Sequence, residues 1–331
     1  MKRAAQVCAR ALLALALAVL TLWSFAAIQY SNLPQALRLP AAIAFVALVG
    51  ALWFLVKPRR RGRLAALAAF ALLVAAWLAI PPSNVRDWMP DVAVLPWAEI
   101  AGERVTLHEI RACEYRSETD YTVRHHDQTF ALGQLRSADL YMVYWGSQSI
   151  AHTMISFGFE DGSYVCFSIE TRKEKGESYS AIRGFFKQYE LTYVVADERD
   201  LVGLRTNFRH EDVYLYRLLV PREILRQVFL DYAQELNELK ATPRWYNAAT
   251  SNCTTNIRRH TAPHDPEQRW DWRVLINGRL DEMLYERGRL DTHLPFAELK
   301  RASRVNERAL AAGDGADFSE LIRRGLPGMP P

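Results

Sequence analysis

The chain has 331 residues, of which 50% are hydrophobic, 11% aromatic and 24% charged. That length suits two domains or one large domain with appendages, and the composition supports a packed core rather than a disordered chain. The formal net charge of +4 comes with no interleaved basic and aromatic array, so nothing points to nucleic acid.

The apolar residues are unevenly placed. Three runs fill the first 82 residues: Ala11 to Tyr30, Leu39 to Val56 and Leu64 to Ile80. Spanning a bilayer takes about 20 apolar residues, with ~17 as the lower end. All three runs lack an internal charge. A signal peptide is the alternative for the first run, but no small-x-small cleavage motif stands out after it and two further runs follow. Residues 1–82 are therefore expected to be a region of three transmembrane helices, and residues 83–331 a water-soluble domain.

Lys2, Arg3 and Arg10 precede the first run, and Lys57, Arg59, Arg60, Arg61 and Arg63 separate the second from the third. The loop between the first two carries only Arg38. Basic loops stay in the cytoplasm, so an odd number of spans sends residues 83–331 outside. The expectation is a multi-pass protein of the inner (cytoplasmic) membrane with its soluble domain on the periplasmic or outer side.

After Pro81-Pro82-Ser83-Asn84, the stretch from Asn84 to Trp97 reads as an extended strap. Glu103 to Tyr115 alternates and predicts a strand; Ser117 to Thr129 is dense in charge and tyrosine; Leu140 to Trp145 predicts a buried strand. Residues 151–171 predict a hairpin with Ile155, Phe157, Phe159, Val165, Phe167 and Ile169 on one face. A two-residue Asp161-Gly162 loop would mix the faces, whereas a three-residue loop with Gly162 as a left-handed bulge keeps odd positions opposite odd ones. That register pairs 159 with 163 and sets His152 across from Glu170. The other face, with His152, Met154, Ser156, Gly158, Ser168 and Glu170, reads as too polar for a core and suits a cleft wall.

Ala181 to Tyr189 predicts a helix, Leu191 to Ala196 and Val213 to Leu219 two strands, and Pro221 to Leu239 a long amphipathic helix. Cys253 opens a further helix through about His260. Residues 266–325 read as mixed helix and loop.

Four cysteines are present: Cys8 at the start of the first span, and Cys113, Cys166 and Cys253 beyond it. An oxidising compartment permits a Cys113–Cys166 bridge, although two buried free thiols are the plainer reading. Cys253 is the candidate nucleophile. Ser251 and Asn252 are good N-cap types, so its sulfur would sit where the helix dipole and unpaired N–H groups favour a thiolate and could hold an oxyanion. His152 is the candidate base, and Glu170 the group that orients it, with Ser168 as a substitute. Tyr246 and Asn252 are candidate supports for the oxyanion. An inert buried thiol and a packing histidine are the alternatives.

Arg183, Arg199, Arg205 and Arg209 could form a patch for an anionic substrate, or simply a solvated face. His125, His126, Asp127, His260 and His264 offer metal ligands, but no HExxH or paired CxxC spacing is present. No metal and no cofactor is expected.

Several motifs together resemble a known family. Tyr144-Trp145-Gly146-Ser147, Ala151-His152-Thr153-Met154, Ser168-Ile169-Glu170-Thr171-Arg172-Lys173-Glu174, Tyr189-Glu190-Leu191, Ala196-Asp197-Glu198-Arg199-Asp200 and Asn252-Cys253-Thr254-Thr255-Asn256 look like the Lnb N-terminal periplasmic domain family, over roughly residues 84–300. That family is similar to circularly permuted papain-like proteins of the NlpC/P60 and lecithin retinol acyltransferase type, in which a strand histidine precedes the helix cysteine. The resemblance implies an α+β, permuted papain-like (NlpC/P60-like) domain. It also implies lipoprotein N-acyl transfer: Cys253 takes the acyl chain as a thioester, His152 is its base, and a lipoprotein amine accepts the chain. Membrane lipid and lipoprotein would be the partners. Three spans ahead of the domain depart from the founding architecture. A cell-wall cysteine peptidase or amidase is the rival enzyme reading, and a non-catalytic membrane scaffold the rival outside enzymology.

Overall fold

A computed structural model of the chain describes residues 2–265 and 269–329. The chain forms two compact units, Met1–Ser83 with Ser180–Tyr189, and Asn84–Tyr179 with Glu190–Pro331.

The first unit contains α1 (Lys2–Gln29), α2 (Gln35–Phe54) and α3 (Arg59–Leu78), each long and apolar enough to cross a membrane. Their connections are short, so neighbouring helices run antiparallel. Leu22 and Leu72 are about 70% exposed, which is the lipid-facing surface a span presents. The inward seam is small: Val49, Ala66 and Phe70 are buried, and Phe70 meets Phe45 edge-on at 5.8 Å.

The segment Ser180–Tyr189 is not the helix that its spacing predicts. Only a single 3-10 turn forms, at Arg183–Phe185. Lys187 has φ +52, a left-handed conformation that no α-helix accommodates. The contacts of this segment within its unit override its local pattern.

The second unit has ten strands and seven helices among its described residues. In chain order these are β1 (Trp97–Ala101), β2 (Arg104–Arg111), β3 (Glu114–Tyr115), β4 (Tyr121–Thr122), β5 (His125–Ala131), β6 (Leu135–Tyr144), β7 (His152–Phe159), β8 (Tyr164–Arg172), β9 (Glu190–Ala196), α4 (Glu198–Gly203), β10 (Asp212–Arg217), α5 (Arg222–Ala241), α6 (Cys253–Thr261), α7 (Leu280–Glu286), α8 (Phe296–Ala302), α9 (Asn306–Ala312) and α10 (Phe318–Leu321). One π-helical turn, Leu204–Phe208, continues α4. The main sheet is mixed, with order β1-β2-β9-β8-β7-β6-β10 and β5 added on β2. The pairing of β2 with β9 is parallel, and the others are antiparallel.

The β7–β8 hairpin has the expected register. Met154 pairs with Ser168, Ile155 with Phe167 and Phe157 with Val165. The Phe159 N–H donates to the Ser163 carbonyl, and Gly162, at φ +84, closes the three-residue loop. Phe157 and Phe167 on the odd face pack on Phe229 and Tyr232 of α5, at centroid distances of 5.1 to 6.2 Å.

The even face differs from expectation. Met154, Ser156, Cys166 and Ser168 are fully buried, and Met154 and Cys166 belong to a second core with Tyr141, Leu201, Val202, Val305, Phe318 and Ile322. The hydroxyls are tolerated because they are bonded: Ser156 Oγ donates to the Val165 carbonyl, and Ser168 Oγ to Glu170. Only the end of this face, at His152 and Glu170, reaches an open site.

Two elements also differ from expectation. The polar stretch before β6 hides β5, whose partner β2 fixes its pairing despite its charged composition. β6 begins at Leu135 rather than Leu140. Cys113 and Cys166 are both buried and unbridged.

Candidate active site

The site forms where the start of β7 meets the start of α6. Asn252 is the N-cap of α6: its Oδ1 accepts from the Thr255 N–H at 2.9 Å, and the Thr255 hydroxyl accepts from the Asn252 N–H at 2.8 Å. This reciprocal cap fixes the first turn of the helix and puts Cys253 at its first position. The Asn252 amide also donates to the Ala248 carbonyl at 2.8 Å, so its side chain shapes the helix start and is engaged there.

Cys253 is 8% exposed. Burial alone would raise its pKa, but hydrogen bonding and charge from His152, together with hydrogen bonds from the Thr153 side chain and backbone, outweigh it and lower the thiol from 9.0 to about 6. The other two cysteines of the unit go the opposite way. Burial and the charge of Asp200 push Cys113 up to about 12, and burial with Glu198 raises Cys166 well above its ordinary value.

Behind the imidazole lies a relay. His152 Nε2 is 2.7 Å from Ser168 Oγ, which donates to Glu170 Oε1 at 2.7 Å. The direct separation of His152 Nε2 from Glu170 Oε1 is 3.8 Å, so the carboxylate acts on the ring chiefly through the serine hydroxyl. Arg205, from the π-helical turn, donates to the same Glu170 oxygen at 2.8 Å. Burial would raise the Glu170 carboxyl, but Arg205, His152 and the Ser168 hydroxyl hold it well below the usual carboxylate range. Cysteine, imidazole, hydroxyl, carboxylate and guanidinium thus form one chain.

A second set of contacts holds the strand to the helix. Asn277 is buried; its Oδ1 accepts from the Ala151 N–H at 2.9 Å, and its Nδ2 donates to the Ala151 carbonyl at 2.6 Å and to Thr254 Oγ1 at 2.5 Å. Thr254 Oγ1 also lies 3.2 Å from Thr153 Oγ1. Ala151 before His152 and Thr254 after Cys253 are therefore linked by one amide, and Thr153 joins them through the Thr254 hydroxyl. Gly278 completes the clamp. Its N–H donates to the Ser149 carbonyl at 3.0 Å, and a Cβ there would overlap the Gln148 carbonyl.

Tyr246 is buried, within electrostatic reach of Cys253, and shares a hydrogen bond with Tyr179. Burial, followed by the charge of Cys253, raises its hydroxyl well above the usual tyrosine range, so it stays protonated. Tyr179 and Asn277 left no mark in the sequence, and Thr153 was visible only as part of the Ala151–Met154 motif.

The arginine patch does not form in the second unit. Arg205 is buried on Glu170, Arg199 bonds the Asp314 carbonyl and pairs with Asp197, and Arg209 pairs with Glu118. Arg183 belongs to the other unit. The candidate metal ligands are scattered among separate partners: His126 to Asp197, His260 to Tyr193 and His264 to Asp231. Among the described residues no group of three or more His, Cys, Asp or Glu side chains is arranged to hold a metal ion.

An apolar cavity of about 120 Å³ lies between the odd face of the sheet and the helices, lined in part by Leu140, Ile155, Phe157, Val228, Thr254 and Ile257. Thr254 places one wall next to the thiol.

Residues 121–278 match the family model described as the Lnb N-terminal periplasmic domain, a stretch that encloses His152, Glu170, Tyr246, Cys253 and Asn277. No curated protein and no solved structure matches the chain. Three apolar helices of membrane-spanning length precede this stretch, and what residues 121–278 are similar to is the Lnb N-terminal periplasmic domain.

Proposed function

We propose that the protein is a membrane-anchored thiol acyltransferase with a permuted papain-like domain, its histidine strand preceding its cysteine helix. It acts at the outer side of the inner membrane, moving an acyl chain from a diacylglyceryl ester to the amino group of a lipoprotein's N-terminal cysteine. One observation carries this reading: of the cysteines in the second unit, only Cys253 is drawn toward the thiolate, and a histidine does it. A thiolate beside an imidazolium at a helix N-terminus is the arrangement of a nucleophile awaiting a carbonyl. The apolar cavity next to Thr254 and the three apolar helices support an aliphatic substrate.

The steps balance as follows. The Cys253 sulfur forms a bond to the ester carbonyl carbon. The tetrahedral oxyanion lies against the N–H groups opening α6, with Tyr246 as a neighbouring hydroxyl donor. It collapses by breaking the bond to the glyceryl oxygen, which takes its proton from His152. The acceptor amine then attacks the thioester and gives its proton to His152, and the amide leaves as the sulfur regains its anionic form. Ser168, Glu170 and Arg205 keep the ring oriented and its cation stabilised throughout.

The test is incubation of the full chain with a diacylated lipopeptide, with the intact mass followed by mass spectrometry. One acyl chain is expected on Cys253, followed by an N-acylated product. Full activity in Cys253→Ala, or cleavage of cell-wall peptides with no acylation of the lipopeptide, overturns the reading; the latter makes the protein a peptidase or amidase.

A further inference from the structure

The first unit holds a segment that its neighbours in sequence do not explain. Ser180–Tyr189 follows β8 by eight residues and directly precedes β9, yet belongs with the apolar helices. Lys187 Nζ donates to the carbonyls of Trp77 at 3.0 Å, Leu78 at 2.9 Å and Ile80 at 3.3 Å. These carbonyls lie at and just past the C-terminal end of α3, where a cation complements the helix dipole. The same ammonium lies over the Trp77 ring at 4.7 Å. Next to it, Phe186 stacks on Tyr30, just past α1, with centroids 5.6 Å apart. With neighbouring helices antiparallel, the ends of α1 and α3 lie at one end of the bundle, opposite the basic Lys57–Arg63 turn. The segment is therefore fixed at the level where the apolar helices emerge on the outer side.

Its free surface is apolar. Ile182 is 58% exposed and Phe185 44%. The segment carries two cations, Arg183 and Lys187, and no acidic residue. Aromatic and aliphatic side chains mixed with lysine and arginine, at the height of a span's end, are what a bilayer interface accommodates. A partner protein is disfavoured because the helix end that Lys187 holds itself exposes an apolar side chain, Leu78. We propose that Ser180–Tyr189 is a membrane-interface element, clamped to α3 by Lys187, that seats Ile182 and Phe185 among the outer-leaflet lipids. This rests on the three helices crossing the bilayer and is independent of acyl transfer.

The test uses the full chain carrying Cys8→Ser and Cys253→Ser, in vesicles of phosphatidylethanolamine and phosphatidylglycerol. A nitroxide is attached at Ile182→Cys or Phe185→Cys, with Leu72→Cys as the lipid reference and Thr119→Cys as the water reference. Relaxation by oxygen, which concentrates in lipid, is compared with relaxation by a water-soluble nickel chelate. The oxygen-to-nickel ratio at both positions is expected to be several-fold above that at 119 and to approach that at 72. Ratios at 182 and 185 equal to that at 119, with 72 reading lipid, overturn the proposal. A water signature at 72 overturns its premise as well. Ile182 is exposed, so its label displaces no packing and the measurement stays readable if the Phe185 variant folds poorly.

Discussion

Burial of a thiol disfavours its anion, yet Cys253 ionises near pH 6 because His152 and Thr153 supply more than burial removes. A thiol is an acid, so its anion is present above that value and lost below it. Alkylation by iodoacetamide, resolved by site, should therefore rise through pH 6 and be flat by neutrality at Cys253, while Cys113 and Cys166 stay unreactive. In His152→Ala the same burial remains without its counterweight, and the inflection should move to 9.0 or above. Glu170→Gln should move it upward by less, because the carboxylate reaches the ring through Ser168. An unchanged profile in His152→Ala would show that the imidazole does not activate the sulfur. The candidate thiol, the cap of its helix and the histidine that acts on it were readable in sequence, because an N-cap dipeptide and a period-2 strand leave local marks. Arg205 was visible only as one charge among several. Its role depends on a π-helical turn that brings it back to Glu170 from 35 residues away in the chain.

The hairpin shows at the level of elements why alternation is a strong signal. A one-residue slip would have moved every phenylalanine off α5, and the turn glycine excluded it. The same signal misled on the other face, where serines resembled a cleft wall although their hydroxyls are satisfied inside a second core. Asn277 left no mark, because a lone asparagine outside any periodic run carries no pattern. Its amide nevertheless ties β7 to α6 through Ala151 and Thr254. In Asn277→Leu the Ala151 N–H and carbonyl lose their partners inside the protein, at about 1–3 kcal/mol for each orphaned group. A lower thermal midpoint and a raised Cys253 inflection are expected together. A lowered midpoint with the inflection still near 6 would make Asn277 purely a stability residue. Gly278→Ala should be at least as damaging, since the Gln148 carbonyl occupies the space of the added methyl group.

For the molecule as a whole, the three apolar helices were legible from hydropathy. The assignment of Ser180–Tyr189 to the helical unit was not, because nothing in a ten-residue run announces a partner a hundred residues upstream. The division of the second unit's thiols into two protonated and one ionised has a consequence for life outside the cytoplasm. Peroxides attack the anion and spare the protonated form. Mild hydrogen peroxide should convert Cys253 to the sulfenic acid and abolish its labelling by iodoacetamide while the melting curve stays in place, and a reductant should restore it. Oxidative damage would then strike the one ionised sulfur first, long before any lost shape.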